Sequence, residues 1–466
     1  SDYSKAVGAY QRYIRMKPGS LPSAVSLHYG HSLFRTENYK GAVDAMKNIA
    51  TGRDSVAQYA AYLVGISYLS TDNPAFALTA FENAAKLSFN ETIKEEATYN
   101  KGKVLLEMGR SKDAIKEFEG YLAAYPSSNY ADEVRELIAD AYASSNNNVD
   151  AIAYIERLKS RSAALNATYQ RLTYNVGVGE YNAEKYATAI TLFDKSIRVP
   201  IDEDMYNSAM FLKAESLMGL KKEAEAVAIY NQILKSSSGS KYTAKSNYAL
   251  GYVYYNQKAY SRATNYFKAF TANTYDADQA IIEDAYTRLG DCYLAAKNYD
   301  EAIKTYEQVA TRGKSGKDYA LFQKGRAYIY MNREQEARRQ FELLLSQYPN
   351  SRFVDDALFQ LADIDFQSQA YQQAVRSFTR LLNEQPKSYM VPAALLRRGQ
   401  AYYNLQVYEQ AIVDFRRIIE QYPTSPSASS ALEGVQESLS AVGRPEEFSD
   451  VLRIVRRNDP SNSKLE

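Results

Sequence analysis

Residues 325–351 read GRAYIYMNREQEARRQFELLLSQYPNS, and the spacing within them decides the fold. Gly325 stands twelve residues before Ala337, and Phe341 stands four residues after that alanine. Pro349 and Ser351 close the stretch. Working outward, the alanine recurs as Ala6, Ala42, Ala77, Ala114, Ala151, Ala189, Ala226, Ala263, Ala302, Ala337, Ala374 and Ala411, at intervals of 35 to 39 residues. Four residues after each comes Tyr10, Met46, Phe81, Phe118, Ile155, Phe193, Tyr230, Phe267, Tyr306, Phe341, Phe378 or Phe415, all large and mostly aromatic. Twelve residues before each alanine, from the second onward, comes Gly30, Gly65, Gly102, Ala139, Gly177, Ala214, Gly251, Gly290, Gly325, Ala362 or Gly399. A period of this length marks a helical repeat array and replaces the usual inference from length to domain count.

Physical chemistry explains the pattern. A glycine inside a helix costs about 1 kcal/mol relative to alanine, so these glycines need an offsetting gain. Each ring lies on the same helix face as the alanine four residues before it. Burying such a ring removes about 150–250 Å² from water, or roughly 4–6 kcal/mol gross at about 25 cal/mol per Å². Each repeat is therefore expected to be a two-helix hairpin whose second-helix ring fills the space left by a glycine on the first. The hairpin hides its apolar face only by stacking on its neighbours. Pro18, Pro126, Pro349, Pro386 and Pro423 end second helices, since proline cannot continue one. Ser20, Ser128, Ser351, Ser388 and Ser425 follow two residues later as expected N-caps, with Pro426 at a first helical position. No period-2 run argues for a strand.

The small residue, the Tyr or Leu three residues later (Tyr68, Leu105, Tyr254, Tyr293, Tyr328, Tyr402), the alanine, the aromatic and the terminal proline together resemble the tetratricopeptide repeat (TPR) family over essentially the whole length. There is no Trp, Glu180 and Asp365 occupy the Tyr/Leu slot, and the repeats exceed the family's usual length, with extra residues around 196–205 and 271–283. That longer period, with the Tyr-Pro-x-Ser segments at 125–128 and 348–351, resembles the bacterial envelope subgroup, which includes the outer-membrane assembly lipoprotein and the Tol-Pal coordinator. The resemblance implies an all-α, right-handed superhelical α-α solenoid of TPR hairpins with a concave face lined by first helices. On this reading residues 1–20 are the second helix of a truncated first repeat, and 21–426 form eleven repeats in one continuous array. Residues 427–457 are C-terminal capping helices and 458–466 a disordered tail.

In the family, residues three before, one after and four after the small residue face the groove. The first slot holds Tyr62, Tyr99, Tyr174, Phe211, Tyr248, Phe322 and Phe359. The middle slot is mixed and includes His31, Lys103, Asp291 and Arg326. The resemblance thus implies a partner-binding groove made by those seven rings with Lys103 and Arg326. The same rings also suit packing between hairpins. The chaperone-binding branch holds a C-terminal carboxylate with Lys in the first slot and Asn in the middle one, a combination missing here.

Charge and chemistry narrow the function classes. Lys and Arg number 56 against 55 Asp and Glu, a net charge of +1, which gives no general pull toward nucleic acid or an anionic membrane. No run reaches the ~18 apolar residues that suggest a spanning helix. Cys292, alone, excludes an internal disulfide framework. No cofactor motif is present. His28 and His31 lack a third metal ligand nearby in sequence, Gly313-Lys314-Ser315 lacks the first glycine of a phosphate loop, and Cys292 has no histidine within reach in sequence. The expectation is a non-enzymatic scaffold for a protein or peptide partner, in a periplasmic or outer-membrane-associated assembly of a Gram-negative bacterium. A cytoplasmic location is the alternative, and a glycan- or peptidoglycan-binding groove is the alternative function. Ser1 enters in the middle of a repeat and Leu465-Glu466 resembles a tag scar, so the chain reads as cut from a longer one. Oligomeric state has no signature in the sequence.

Overall fold

A computed structural model describes residues 2–236 and 240–458. These residues form helices α1 to α25 with one short 3-10 turn at Pro445–Glu447, and no strand occurs among them. Two compact units divide the chain, Ser1–Ile233 and Leu234–Glu466. The first begins with α1 (Asp2–Met16) and continues in pairs. These are α2 (Ser23–Arg35) with α3 (Tyr39–Met46), α4 (Ser55–Leu69) with α5 (Pro74–Ala85), and α6 (Glu91–Glu107) with α7 (Ser111–Ala124). Then come α8 (Ala131–Ser144) with α9 (Asn148–Arg157), α10 (Ala163–Asn182) with α11 (Tyr186–Ile197), and α12 (Glu203–Gly219) with α13 (Glu223–Ser236).

The second unit pairs α14 (Lys241–Asn256) with α15 (Tyr260–Ala272), α16 (Gln279–Ala295) with α17 (Tyr299–Arg312), and α18 (Lys317–Tyr330) with α19 (Glu334–Gln347). It continues with α20 (Val354–Gln367) and α21 (Tyr371–Glu384), then α22 (Val391–Asn404) and α23 (Tyr408–Gln421), and ends in α24 (Ala428–Ala441) and α25 (Phe448–Asn458). Within each unit a helix packs on the next in the chain, so each is an α-α solenoid. The tail expected to be disordered lies, from residue 459, outside the described residues.

The glycine–ring interlock closes seven of the hairpins. A Cβ added at Gly65, Gly102, Gly177, Gly251, Gly290, Gly325 or Gly399 would fall 2.3–2.9 Å from the ring of Phe81, Phe118, Phe193, Phe267, Tyr306, Phe341 or Phe415 respectively. Those rings are essentially sealed from solvent. The absent side chain is what lets the ring lie against the first-helix backbone, and contact at that distance recovers dispersion energy that a gap would forfeit.

The hairpin turns hold a feature that a glycine announces only once. Seven residues after each small residue the backbone turns left-handed, at Glu37, Asp72, Gly109, Asn146, Glu184, Lys221, Lys258, Lys297, Asn332, Gln369 and Gln406. In the first of these turns Glu37 N–H donates to Phe34 O (3.0 Å) and Asn38 N–H to Leu33 O (2.9 Å), the Schellman pairing that satisfies the last carbonyls of a helix. Only Gly109 has the residue type that adopts this conformation without penalty. Gln369→Gly should therefore stabilise the second unit by about 0.5–1 kcal/mol, the αL penalty of roughly 1–2 kcal/mol being partly offset by a looser unfolded chain. Urea titration measures it, and a loss of stability would contradict the argument.

Loops between hairpins are pinned from a distance. Seven residues before the small residue, Gln58 donates to Leu87 O (2.8 Å) and accepts from Asn90 N–H (2.8 Å). Gln170 similarly accepts from Asp202 N–H (2.8 Å) and Ile201 N–H (3.1 Å). In the second unit Ser351 donates to Asp318 (2.6 Å) and Ser388 to Asp355 (2.5 Å). These serines are not N-caps, which corrects the sequence expectation. Their hydroxyls accept from the amides two residues on, Phe353 (3.2 Å) and Met390 (3.0 Å), and the helices begin one residue later still. Ser128 behaves alike toward Tyr130 N–H (3.0 Å). Ser20 and Ser425 also lie outside the helix starts, and Pro426 sits in the turn before α24. Proline does close the second helices, which stop two residues ahead of Pro18, Pro126, Pro349, Pro386 and Pro423.

Candidate partner-binding face

The seven first-slot rings all occupy first helices, and each leans on the core ring of its own hairpin. Tyr62 meets Phe81 at 6.2 Å between ring centroids, Tyr99 meets Tyr121 at 6.3 Å, Tyr174 meets Phe193 at 6.3 Å and Phe211 meets Tyr230 at 5.9 Å. In the second unit Tyr248 meets Phe267 at 6.3 Å, Phe322 meets Phe341 at 5.9 Å and Phe359 meets Phe378 at 5.6 Å. Such tilted contacts suit the ring quadrupole. Tyr99 and Phe322 are 6% and 8% exposed, each covered by a stacked neighbour, Tyr130 at 4.4 Å and Phe353 at 5.3 Å. Tyr62, Tyr174, Phe211, Tyr248 and Phe359 keep part of their surface open.

The hydroxyls are spent on the next hairpin. Tyr99 donates to Glu133, Tyr248 donates to Asp284 (2.8 Å), and the Tyr174 hydroxyl shares a hydrogen bond with Ser208 (2.8 Å). Burial first, then a hydrogen bond to Glu96, raises the Tyr62 pKa, and Tyr99 and Tyr248 are raised in the same way by burial and then by Glu133 and Asp284. These phenols stay protonated donors. A first-slot tyrosine thus ties two hairpins together. The two cations share first helices with these rings. Lys103 is exposed, 5.0 Å from the Tyr99 ring centroid and 3.4 Å from Glu133. Arg326 donates to Gln323 (3.0 Å) and Tyr330 (2.9 Å). The nine residues fall in two sets, Tyr62, Tyr99, Lys103, Tyr174 and Phe211 in the first unit and Tyr248, Phe322, Arg326 and Phe359 in the second.

Sequence reasoning missed the polar centre of the second unit. Asp291, a middle-slot residue only 8% exposed, accepts from Tyr306 (2.6 Å), Tyr319 (2.8 Å), Tyr255 (3.2 Å) and Arg288 (2.8 Å). Asp284 accepts from Tyr248 and Tyr252 and lies 3.4 Å from Arg288. Burial opposes the Arg288 charge, but Tyr252, Asp291 and Asp284 outweigh it and raise its pKa. Burial also holds the Tyr255 phenol up at about 12. The available signal was the run Tyr252-Val253-Tyr254-Tyr255 opposite two aspartates one repeat later. Asp365, which looked misplaced in the Tyr/Leu slot, is buried but satisfied by Arg338 of the preceding hairpin (2.5 Å) and Ser377 of its own (2.7 Å).

Glu283 pins the Gly313–Gly316 loop. It accepts from Lys314 N–H (2.7 Å), Ser315 N–H (3.0 Å) and the Ser315 hydroxyl (3.0 Å). Burial works against its ionisation, yet the two amides, Gln279 and Ser315 prevail and lower its pKa. A depressed carboxylate contributes stability that is present above its unfolded pKa, about 4.3, and is lost as pH falls through the folded value. Wild type should accordingly be more stable than Glu283→Gln at neutral pH, with the gap closing as urea titrations are taken down through pH 4. A gap independent of pH would refute this account.

Other sequence candidates fall within the fold. The His31 ring lies between Tyr3 (5.7 Å) and Tyr59 (5.9 Å). Burial pushes the Cys292 thiol up to about 12, so at neutral pH it is a packed thiol. Among the described residues, no three His, Cys, Asp or Glu side chains are grouped to hold a metal ion, and no helix is long and apolar enough to cross a membrane.

Comparison with known proteins agrees with this anatomy. Tetratricopeptide repeat profiles match residues 284–312, 319–351, 356–388 and 393–425, and a second such profile matches 177–241. An outer membrane lipoprotein profile matches 91–171. The chain belongs to the tetratricopeptide repeat family, and its residues 91–171 are similar to the outer membrane lipoprotein branch. No curated protein matches it. Among solved structures, a chain of the APC/C hetero-tetramer Cut9–Hcn1 is 14% identical over 100% of this chain and 92% of its own, with a TM-score of 0.32. The C-terminal part of a TPR repeat-containing protein from Cytophaga hutchinsonii is 17% identical over 55% of this chain and 97% of its own, TM-score 0.43. MamA is 21% identical over 40% of this chain and 95% of its own, TM-score 0.31. The repeats indicate a protein–protein interaction scaffold.

Proposed function

We propose that the first-helix face of each unit holds a protein or peptide partner within a bacterial cell-envelope assembly, at the periplasmic side or the outer membrane. The observation that carries this reading is the part-open rings of each unit, Tyr62, Tyr174 and Phe211 in the first and Tyr248 and Phe359 in the second, each fixed by the core ring beneath it. Rings held in one orientation give contact area at little entropy cost. Tyr99 and Phe322 serve this face as supports for their neighbours, and Lys103 and Arg326 supply its charge. The envelope setting rests on the lipoprotein profile at 91–171.

The test places a photoreactive phenylalanine analogue at Tyr174 or Phe359, and at Val413, an exposed second-helix residue, as control. Cross-links to one envelope protein from the first two positions and none from Val413 would support the reading. Equal labelling from Val413 would move the partner to another face. Cross-links found only with cytosolic extract would overturn the envelope setting.

A further inference from the structure

The loop Gly313–Gly316, singled out in the sequence and unused by the ring face, borders two adjoining clefts in the second unit. One, about 630 Å³, is lined by Lys314, Lys317, Tyr348 and Asn350 among others. The other, about 350 Å³, is lined by Asp284, Arg288, Tyr319 and Arg352 among others. Ser315 and Gly316 belong to both.

The decisive point is which charges here are already used. Every carboxylate lining the clefts has internal partners. Glu283 is bound to the loop amides, Asp284 to Tyr248, Tyr252 and Arg288, and Asp318 to the Ser351 hydroxyl (2.6 Å). Arg288 is in turn committed to Asp284 and Asp291. Lys314, Lys317 and Arg352 differ. Among the described residues none of the three has a carboxylate within ion-pair distance. The Arg352 guanidinium is not loose, because it lies 4.7 Å from the centroid of the Phe353 ring, itself stacked on Phe322 at 5.3 Å. The unspent charge around the clefts is therefore positive, and a guanidinium matches the two oxygens of a carboxylate.

We infer that these clefts take acidic side chains of an extended segment of the protein partner, Arg352 receiving a carboxylate and Lys314 and Lys317 a second acidic residue. This deepens the scaffold reading and rests on it. The chain terminus of the partner is not required, since the clefts lie at the edge between the α16–α17 and α18–α19 hairpins.

The test uses the whole chain and three fluorescent decapeptides with amidated C-termini, one with alternating Glu and Gly, one with Lys for Glu, and one with Gln for Glu. Anisotropy at low salt should show binding of the Glu peptide, weakening with added salt, and little binding of the other two. Arg352→Glu with Lys317→Glu should weaken the Glu peptide about tenfold or more, whereas Arg339→Glu with Lys297→Glu, the same charge change at exposed positions elsewhere, should have little effect. Helix content by circular dichroism should match in all proteins. Equal weakening by both pairs, or equal binding of the Gln peptide, would overturn the inference. Cross-links from Tyr174 and Phe359 do not pass through the clefts, so failure here leaves the scaffold reading standing and failure there is seen separately.

Discussion

Asp291→Leu should destabilise the second unit by about 3–5 kcal/mol, the range for breaking a buried charge pair from one side. The side chain is nearly sealed, and its two oxygens accept four hydrogen bonds. Removing it leaves a part-buried Arg288 cation with Asp284 as its remaining carboxylate and takes the acceptor from three phenols. Asn at this position keeps the shape but presents an NH₂ where an acceptor is needed, so it should fall between wild type and Leu. Arg288→Met added to Asp291→Leu should recover part of the loss, because the stranded charge goes too. Urea titration followed by hydrogen exchange across α16–α19 would show it. A loss under about 1 kcal/mol would mean that water replaces the carboxylate at little cost.

Phe341→Ala should cost a similar ~3–5 kcal/mol, through lost transfer energy and the cavity left behind. Phe341 is fully buried against Gly325, where an added Cβ would lie 2.5 Å from the ring. Gly325→Ala alone forces a packed ring aside and should destabilise, whereas in the Phe341→Ala background the same methyl enters vacated space and raises helix propensity, so its sign should reverse. Damage should also stay local, since stacked hairpins lean only on neighbours. Exchange should accelerate in α18–α19 and adjoining helices and remain unchanged around Phe81. Uniform acceleration through the chain would contradict nearest-neighbour stability.

The parts legible in the sequence were those whose cause lies within one hairpin. Gly325, Ala337 and Phe341 are near enough in the chain for their spacing to state their contact, and Pro349 marks the end of its helix one residue type at a time. What stayed hidden depends on a neighbouring hairpin or on backbone shape. Nothing about Gln369 or Lys297 as residue types signals a left-handed turn. Asp365 looked misplaced because Arg338, its partner, is 27 residues earlier on another hairpin. Asp318 reaches Ser351 across 33 residues, so Ser351, judged locally, looked like a helix cap. The candidate face was legible as a row of rings. That each ring rests on its own hairpin's core, and that the tyrosines among them spend their hydroxyls on the next, could not be read from composition at one slot.

The long pins carry a consequence for how such a chain can change in length. Asp318 holds Ser351 and Asp355 holds Ser388, two ties of the same chemistry one repeat apart. Excising the 37 residues between one aspartate and the next would leave Asp355 in the place of Asp318, with an equivalent serine already at the proper distance. Whole hairpins are thus interchangeable parts, and unequal recombination at these points could lengthen or shorten the array without inventing a new junction.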